Sequence, residues 1–313
     1  MTTIEARPSV QQRQLMGRGL AWALLSAACF GLSGSLAKPL LDIGWSPGAV
    51  VVARMGGAFL VLLVPALVIL RGSSRPTARQ ARRLLAYGVG PVAGAQLCFF
   101  SAVQYLSVGT ALLLEYLAPV LLIGWAWFRT RTRPTNGVLL GAAIAMAGMF
   151  FVLDVVNGLT LHPVGVLWGL GAALCLCSYF LLSDDSSSGA SASPLLTTTV
   201  GTGVGALGVL GVGATGLLPM SFELRDTALA GHPVPWWLPV LTLILIAATV
   251  AYLTGIIAVR RLGSSIASFV ALTEVIFAVV FAVLLLGQTP SLSQLVGGVL
   301  VLAGIAIVQR PSR

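Results

Sequence analysis

Residues 48–70 read GAVVVARMGGAFLVLLVPALVIL, a run in which Arg54 is the one charged side chain. A single helix needs about 20 apolar residues to cross a hydrocarbon core of about 30 Å, so this run is long enough to span a membrane. The whole chain has the same character, because 57% of its residues are hydrophobic and 9% are charged. An ordinary soluble domain carries about 25% charged residues. The sequence therefore predicts an α-helical membrane protein with the lipid bilayer as its solvent.

Apolar runs of similar length recur along the chain and predict ten transmembrane helices. They lie at about 19–38, 48–70, 84–106, 110–128, 137–153, 164–183, 195–218, 238–259, 264–286 and 293–308. We expect residues 1–17 to form a disordered tail, and the Ser-rich segment 184–193 to be a flexible linker. The segment 219–237 is predicted to be a loop that ends in an aromatic anchor at the membrane interface, Trp236 and Trp237.

The formal net charge of +9 would suggest a nucleic-acid partner if the basic residues formed a soluble patch. They fall instead between the apolar runs, which excludes that partner and indicates topology. With the N-terminus inside, fifteen of the 18 Lys and Arg residues lie on the inner side. Arg225 is outside, and Lys38 and Arg54 lie within spans. We expect an inner cell membrane protein with both termini in the cytoplasm.

The chain contains an internal repeat. A shift of 156 residues aligns 101–152 with 257–308 without a gap, and a shift of 146 or 147 aligns the earlier part. Matched pairs include Leu106 with Leu262, Pro134 with Pro290, Gly141 with Gly297, Gly148 with Gly304, Cys29 with Cys175, and Pro47 with Pro194. The predicted domains are a first half at 18–155 and a second half at 156–309, with a short tail at 310–313.

Each half holds five predicted helices, and an odd number makes the second half enter the membrane from the opposite face. Two inverted halves with a solute site near the midplane between them are a recurring design of secondary transporters. We therefore predict transport by alternating access. The sequence carries no ATP-binding motif, so the energy would come from an ion gradient or from the solute's own gradient.

These features resemble the ten-helix EamA-type branch of the drug/metabolite transporter superfamily over about residues 19–308. The resemblance rests on the two five-helix halves, on the spacing of Pro47 and Arg54, and on the stretch LLEYLAP at 113–119. Amino-acid exporters of that superfamily have a similar Glu before a Pro in the fourth helix. The resemblance implies that the protein exports amino acids or similar small metabolites. The choice of export over import comes from the resemblance alone.

The ninth helix of that family commonly carries Glu-Pro and ends in Leu-Gly-Glu. This chain has Glu274-Val275 and Leu286-Gly287-Gln288 at the matching positions. The first Glu is kept, whereas its proline and the terminal Glu are replaced. A coupling scheme that needs the second Glu does not apply here.

Ionisable groups inside the hydrocarbon are costly and are therefore candidate functional residues. Arg54 lies about 9 Å into its helix, and Glu115 at a similar depth could pair with it or face the substrate. Glu274 lies near the midplane and is a candidate proton carrier. Lys38 ends the first span, where snorkelling to the interface explains it as well as a binding role. Gln96 and Tyr252 are equivalent under the shift of 156, which places polar groups at symmetric sites.

Other motifs carry less. The four cysteines lie within apolar runs, and Cys175 and Cys177 point about 200° apart on a helix, so we read all four as packing residues and predict no metal or cofactor. The sequence GVGALG at 203–208 lacks the preceding strand of a dinucleotide site. The sequence GLSG at 31–34 would need a histidine base to act as a protease, and His162 and His232 lie in loops. We predict no enzyme. A channel-like facilitator of small solutes remains the alternative to a transporter, and a membrane-embedded enzyme is a more remote one.

Overall fold

A computed structural model of the protein describes residues 10–70, 77–118, 121, 124, 127–128, 131, 133–152, 162–183, 193–271 and 273–308. The first five-helix half comprises α1 to α6. Its elements are α1 (Val10–Asp42), α2 (Pro47–Leu70), α3 (Ala78–Tyr87), a first π segment (Gly88–Gly94), α4 (Ala95–Tyr105), α5 (Val108–Glu115) and α6 (Asn136–Val152).

The second half is helical apart from one small hairpin. Its elements are α7 (Pro163–Ser183), α8 (Pro194–Ala214), β1 (Thr227–Leu229), β2 (His232–Val234), α9 (Trp237–Thr242), a second π segment (Leu243–Val250), α10 (Ala251–Ala271), α11 (Thr273–Leu286) and α12 (Leu292–Val308). The predicted all-α membrane fold is confirmed.

Apolar helices follow one another along the described part of the chain, and five of them have membrane-spanning length. Five helical stretches are long and apolar enough to cross a membrane: Gly17–Asp42, Pro47–Ile69, Leu84–Tyr105, Leu195–Ala214 and Trp237–Ala258. Four shorter apolar helices are Asn136–Gly148, Pro163–Ser178, Thr273–Leu286 and Leu292–Gly304. Together with α5 they match the ten predicted spans in order.

Two predicted boundaries are wrong. The first helix begins at Val10, inside the segment predicted to be a disordered tail. A break was predicted at 260–263, yet α10 runs through these residues to Ala271, because no proline there interrupts helical hydrogen bonding. Residues 1–9 of the predicted tail, 184–192 of the predicted linker and the tail 310–313 lie outside the described residues.

The internal repeat includes a structural feature that the sequence did not predict, a π segment in each half. The two π segments occupy equivalent places, because a shift of 156 carries residues 88–94 onto 244–250, inside the second segment. Pro91 interrupts α-helical bonding in the first segment, whereas the second holds no proline. Single π turns inside α-helices are rare and are frequent at functional sites.

The crossing of α6 with α12 shows how the halves are related. A β-carbon added to Gly148 would lie 2.7 Å from Gly297 O and 2.7 Å from Val301 N. One added to the equivalent Gly304 would lie 2.5 Å from both Gly141 O and Ala145 N. Rising residue numbers on one helix meet falling numbers on the other, so these equivalent helices are antiparallel. A two-fold axis that relates antiparallel membrane helices lies in the membrane plane, as inversion requires.

The helices of each half pack mainly against helices of the other half. Helices α1 and α2 pack with the second π segment, α10 and α11, and with α9 they form what we call the first helix group. Helices α4 and α5 pack with α7, and α8 packs on the first π segment, so we count α3–α5, α7 and α8 as the second helix group. Helix α8 also packs extensively against α2, so the two groups meet along this crossing as well. Each group thus contains two spans from each sequence half.

The segment predicted to be a loop forms an antiparallel hairpin instead, with Thr227 opposite Val234 and Leu229 opposite His232. Ala230 and Gly231 at its tip both have positive φ values, 51° and 77°, as the tight two-residue hairpin turn requires. We call this end of the molecule the hairpin end.

The hairpin and the residues before it are bonded to the first helix group. Thr227 Oγ1 donates to Pro39 O at 3.0 Å, Arg225 Nη2 donates to Ile43 O at 2.7 Å, and Ala230 N donates to Leu285 O at 2.8 Å. Trp236 of the predicted aromatic anchor packs against Trp45, with ring centres 6.1 Å apart.

Candidate functional site

Arg54 is the centre of the candidate site. It lies in α2, two turns after Pro47, and its side chain is completely buried. Its Nη1 atom donates to Gln96 Oε1, and its Nη2 atom donates to Ala247 O in the second π segment. A buried guanidinium group is tolerated only when its charge and its N–H groups find partners. Arg54 has one hydrogen-bond acceptor just after the first π segment, Gln96, and a second one inside the second π segment, Ala247 O.

Aromatic rings complete the surroundings of Arg54. Its Cζ atom lies 6.0 Å from the centre of the Phe30 ring and 5.7 Å from that of Phe100, within the range of a cation–π interaction. The Nε atom is buried and has no hydrogen-bond partner among the described residues. One donor of this cation is therefore free to bind another group.

Glu274 and Tyr116 form the second part of the site. Tyr116 Oη donates to Glu274 Oε2 at 3.0 Å and lies 3.2 Å from Ala271 O. Glu274 is in the first turn of α11. A β-carbon on Gly31 of α1 would lie 2.9 Å from Glu274 O, so the missing side chain lets α1 approach this turn closely. Tyr116 belongs to the second helix group and Glu274 to the first.

Glu115 is buried at the end of α5, as its predicted role requires. Of the two possibilities for Glu115, pairing with Arg54 or facing the substrate, the ion pair is absent: among the described residues, the ion pair within 4.0 Å is that of Lys38 with Asp42. The guanidinium group points to Gln96 and Ala247 instead. Glu115 does interact electrostatically with Glu274 and Arg54, so it belongs to the same charged cluster without touching the cation.

The symmetric pair Gln96 and Tyr252 meets at the site. Gln96 is the second residue of α4 and Tyr252 the second residue of α10, so each directly follows a π segment. Gln96 accepts from Arg54. Tyr252 packs edge-on against Phe30, with ring centres 4.9 Å apart, and interacts electrostatically with Arg54.

Lys38 lies away from this cluster, at the hairpin end. Its Nζ atom lies 2.6 Å from Asp42 Oδ1, and it lines an open cavity of about 970 Å³ together with Asp42, Asp226 and Gln288. The structure therefore brings five of the six predicted site residues together and leaves Lys38 outside. Gln288, which replaces the family's terminal Glu, accepts from Val108 N at 3.4 Å.

Four contributors to the site were not predicted from the sequence. Tyr116 stands in the quoted stretch LLEYLAP, and its position next to Glu115 was a usable signal. Phe30 and Phe100 carried no such signal, because apolar spans are rich in phenylalanine. The carbonyl oxygen of Ala247 could not be predicted, since a backbone acceptor leaves no trace in the sequence.

The arrangement holds one cation, two carboxyl groups, two phenols and an amide within a largely apolar interior. It can bind a small solute that carries both charges, and it can hold a proton on a carboxyl group. Among the described residues, no three His, Cys, Asp or Glu side chains lie close enough together to hold a metal ion.

Comparison with known proteins agrees with this architecture. The model of the EamA-like transporter family matches twice, at residues 17–154 and 163–310. The chain belongs to this family and is a polytopic membrane transporter. The two matches are the two halves of the internal repeat.

The relatives with assigned names are transporters. The Salmonella typhimurium protein "Uncharacterized inner membrane transporter YicL" is 21% identical over 95% of this chain and 96% of its own. The Archaeoglobus fulgidus "Uncharacterized transporter" is 27% identical over 94% of this chain and 97% of its own. The Escherichia coli "Uncharacterized inner membrane transporter YhbE" is 29% identical over 53% of this chain and 54% of its own. A solved crystal structure with 18% identity has the same fold, with a TM-score of 0.59 and coverage of 95% of this chain and 97% of that one.

Proposed function

We propose that the protein is a secondary transporter that exports amino acids or similar small metabolites by alternating access, with the proton as its coupling ion. The observation that carries the proposal is the position of the charged cluster. Arg54 bonds to Gln96, and Glu274 accepts from Tyr116, and both bonds join the first helix group to the second. Bonds that bridge two bodies can be made and broken as the bodies move.

The helix groups are the moving bodies of this proposal. Each contains two spans from each half, so the groups, and not the sequence halves, rock against each other. At the hairpin end they touch, because a β-carbon on Gly109 of α5 would lie 3.4 Å from Val279 Cγ2 of α11. Separation at this contact would open the site toward the hairpin end.

The charges of the site suit a zwitterion. A carboxylate of the solute would bind the free Nε–H of Arg54, in a charge-assisted hydrogen bond. An ammonium group would bind Glu115 or Glu274. A proton on the same carboxyl group would compete with the ammonium group, which is the basis of exchange.

The proposed setting is the inner cell membrane, with both termini in the cytoplasm and the hairpin end outside. The distribution of arginines supports this orientation, and two of the relatives are named inner membrane transporters. Outward movement of the solute then ends at the hairpin end.

A substrate must be found first, because the sequence does not identify one. Any solute that binds the folded protein raises its melting temperature by mass action. We therefore suggest a thermal-shift screen of the purified protein with amino acids, nucleosides and cationic dyes.

Proton coupling is tested with the solute that the screen identifies. In inside-out vesicles, an imposed pH gradient should accelerate uptake by the wild-type protein. Glu274→Gln keeps an acceptor for Tyr116 but cannot release a proton, so we expect uptake that no longer depends on pH. Glu223→Gln, at an exposed carboxyl group of the hairpin end, is the matched control and should behave as the wild type.

Two results would contradict the proposal. A wild-type rate indifferent to the pH gradient would exclude proton coupling and would favour a facilitator. Unchanged pH dependence in Glu274→Gln would remove this residue from the coupling mechanism.

A further inference from the structure

Two matching pentapeptides face each other where α4 crosses α7. One is Gly94-Ala-Gln-Leu-Cys98 and the other is Gly171-Ala-Ala-Leu-Cys175. These segments are not equivalent under the internal repeat, so the duplication does not explain their likeness. Their meeting in space does.

The contacts between the pentapeptides are reciprocal. A β-carbon on Gly94 would lie 2.9 Å from Cys175 Sγ, and one on Gly171 would lie 3.2 Å from Cys98 Sγ. Each sulfur therefore fills the space above the glycine of the opposite helix. This pairing of numbers makes the helices antiparallel, and side chains on a helix lean toward its N-terminus, so the two cysteines lean toward each other.

The two cysteines also interact electrostatically with each other. Both cysteines are free and partly buried. Glu115 interacts electrostatically with Cys98. The sequence predicts each cysteine to be a separate packing residue and does not show that these two meet.

We propose that Cys98 and Cys175 form a two-sulfur binding site for a soft divalent metal ion of the mercuric type. Thiolate ligands select soft ions. A zinc site would need about four ligands, and the described residues offer no cluster of three. An ion that accepts two collinear sulfurs fits this ligand number.

Charge decides between a divalent and a monovalent ion. Binding releases one proton from each thiol as the two S–metal bonds form, so a divalent ion gives a neutral bis-thiolate. A monovalent ion such as Ag⁺ bound by two thiolates would leave one negative charge in an apolar setting, which costs free energy. The neutral Ag⁺ complex would keep the proton on one sulfur, which is then only a weak ligand. The site should therefore retain Hg²⁺ more strongly than Ag⁺.

The site lies within one helix group, because α4 and α7 both belong to the second. It should therefore exist whether or not the groups move against each other. Its presence is independent of the proposed substrate and of proton coupling, and its test needs no transport assay.

The test uses the reduced, purified full-length protein with one equivalent of Hg²⁺, followed by desalting in an excess of a competing monothiol. Intact mass spectrometry then counts the retained metal. We expect one retained ion per wild-type chain, and at least about a tenfold lower retention in Cys98→Ser, Cys98→Ala, Cys175→Ser and Cys175→Ala. Cys29→Ser and Cys177→Ser are the controls, because both residues are also buried in spans, and they should retain the ion.

Several results would overturn the proposal. Retention unaffected by the Cys98 or Cys175 substitutions would exclude the site, as would loss of retention in Cys177→Ser or equal retention of Ag⁺. If a single-cysteine variant elutes abnormally in size exclusion, the sulfur-to-mercury absorption band of the wild type gives a second measurement. Its absence at one equivalent would likewise exclude paired sulfur ligation.

Discussion

At the scale of the residue, Arg54 connects α2 by hydrogen bonds to two elements that are distant from it in the sequence. Its two terminal nitrogens donate to Gln96 in α4 and to Ala247 O in the second π segment. Removing either acceptor would leave a buried donor unsatisfied, at a cost of about 1–3 kcal/mol. The planar guanidinium group suits this double role, because its donors diverge in a fixed geometry.

We predict that Arg54→Lys weakens both folding and transport although it keeps the positive charge. A lysine offers a single nitrogen, so it cannot reach both acceptors, and we expect a loss of about 1–3 kcal/mol in stability. Uptake should fall at least about tenfold. Thermal unfolding in detergent and uptake in vesicles measure the two effects.

Arg225→Lys is the matched control for that substitution. Arg225 also donates two bonds to one backbone oxygen, Ile43 O, but it is exposed. Exposed substitutions usually change stability by less than about 0.5 kcal/mol. If Arg54→Lys matched this control in both assays, the two hydrogen bonds of Arg54 to Gln96 and Ala247 O would be dispensable.

Which candidate residues could lie together was predicted from the sequence, whereas their pairing was not. The cost of a charge in hydrocarbon singled out Arg54, Glu115 and Glu274, and the repeat singled out Gln96. The sequence left an Arg54–Glu115 pair open, and the structure does not contain it, because depth along a helix does not give the direction in which a side chain points. Contacts between distant helices depend on that direction.

At the scale of the element, the crossing of α6 with α12 depends on two equivalent glycines. We predict that Gly304→Ala destabilises the protein by about 1–3 kcal/mol, since overpacking forces neighbouring atoms apart. The added β-carbon would stand 2.5 Å from Gly141 O and from Ala145 N, and backbone atoms cannot move as a flexible side chain can. Thermal unfolding in detergent measures the loss.

Gly137→Ala is the control within α6. Nothing lies within 4 Å of a β-carbon at Gly137, and alanine favours a helix by about 0.5–1 kcal/mol over glycine. Stability should therefore stay equal or rise slightly. Equal melting temperatures for both alanine variants would show that this crossing tolerates separation.

The elements themselves divide into those that the sequence predicts and those that it does not. Hydrophobic length predicted the spans, because the bilayer leaves few other ways to satisfy the backbone. The π segments were not predicted, since Pro91 marks the first but nothing marks the second. The hairpin was also missed: its tip, Ala230-Gly231, is a weak turn signal beside the Asn-Gly or Asp-Gly pairs that such turns favour.

At the scale of the whole molecule, the two sequence halves are inverted relative to each other, and each half packs its helices against those of the other half. Each half supplies two spans to each helix group, so neither half has a complete packing surface of its own. The repeat predicted the inverted relation correctly. It did not predict this packing between the halves, because alignment of two halves is silent about which half each helix packs against.

We predict that a disulfide between the groups stops transport and that one within a group does not. In a chain whose four cysteines are replaced by alanine, Gly109→Cys with Val279→Cys would join α5 to α11. A β-carbon on Gly109 would lie 3.4 Å from Val279 Cγ2, an atom whose place the sulfur of a cysteine at 279 could take, so the two residues are close enough for a disulfide. This bond would hold the hairpin end closed, so uptake of the identified solute should stop on oxidation and return on reduction.

Ala93→Cys with Gly205→Cys is the matched pair within the second helix group, joining the first π segment to α8. A β-carbon on Gly205 would lie 3.4 Å from Ala93 Cβ, so this pair should also oxidise. Because these two residues move together in the proposed cycle, this bond should leave uptake unchanged. Inhibition by both bonds would mean that α8 moves separately from the first π segment, and inhibition by neither would mean that the hairpin end need not open. Rocking of the helix groups predicts inhibition by the Gly109–Val279 disulfide and no inhibition by the Ala93–Gly205 disulfide. Each disulfide adds a local constraint, but only the first one joins the two helix groups.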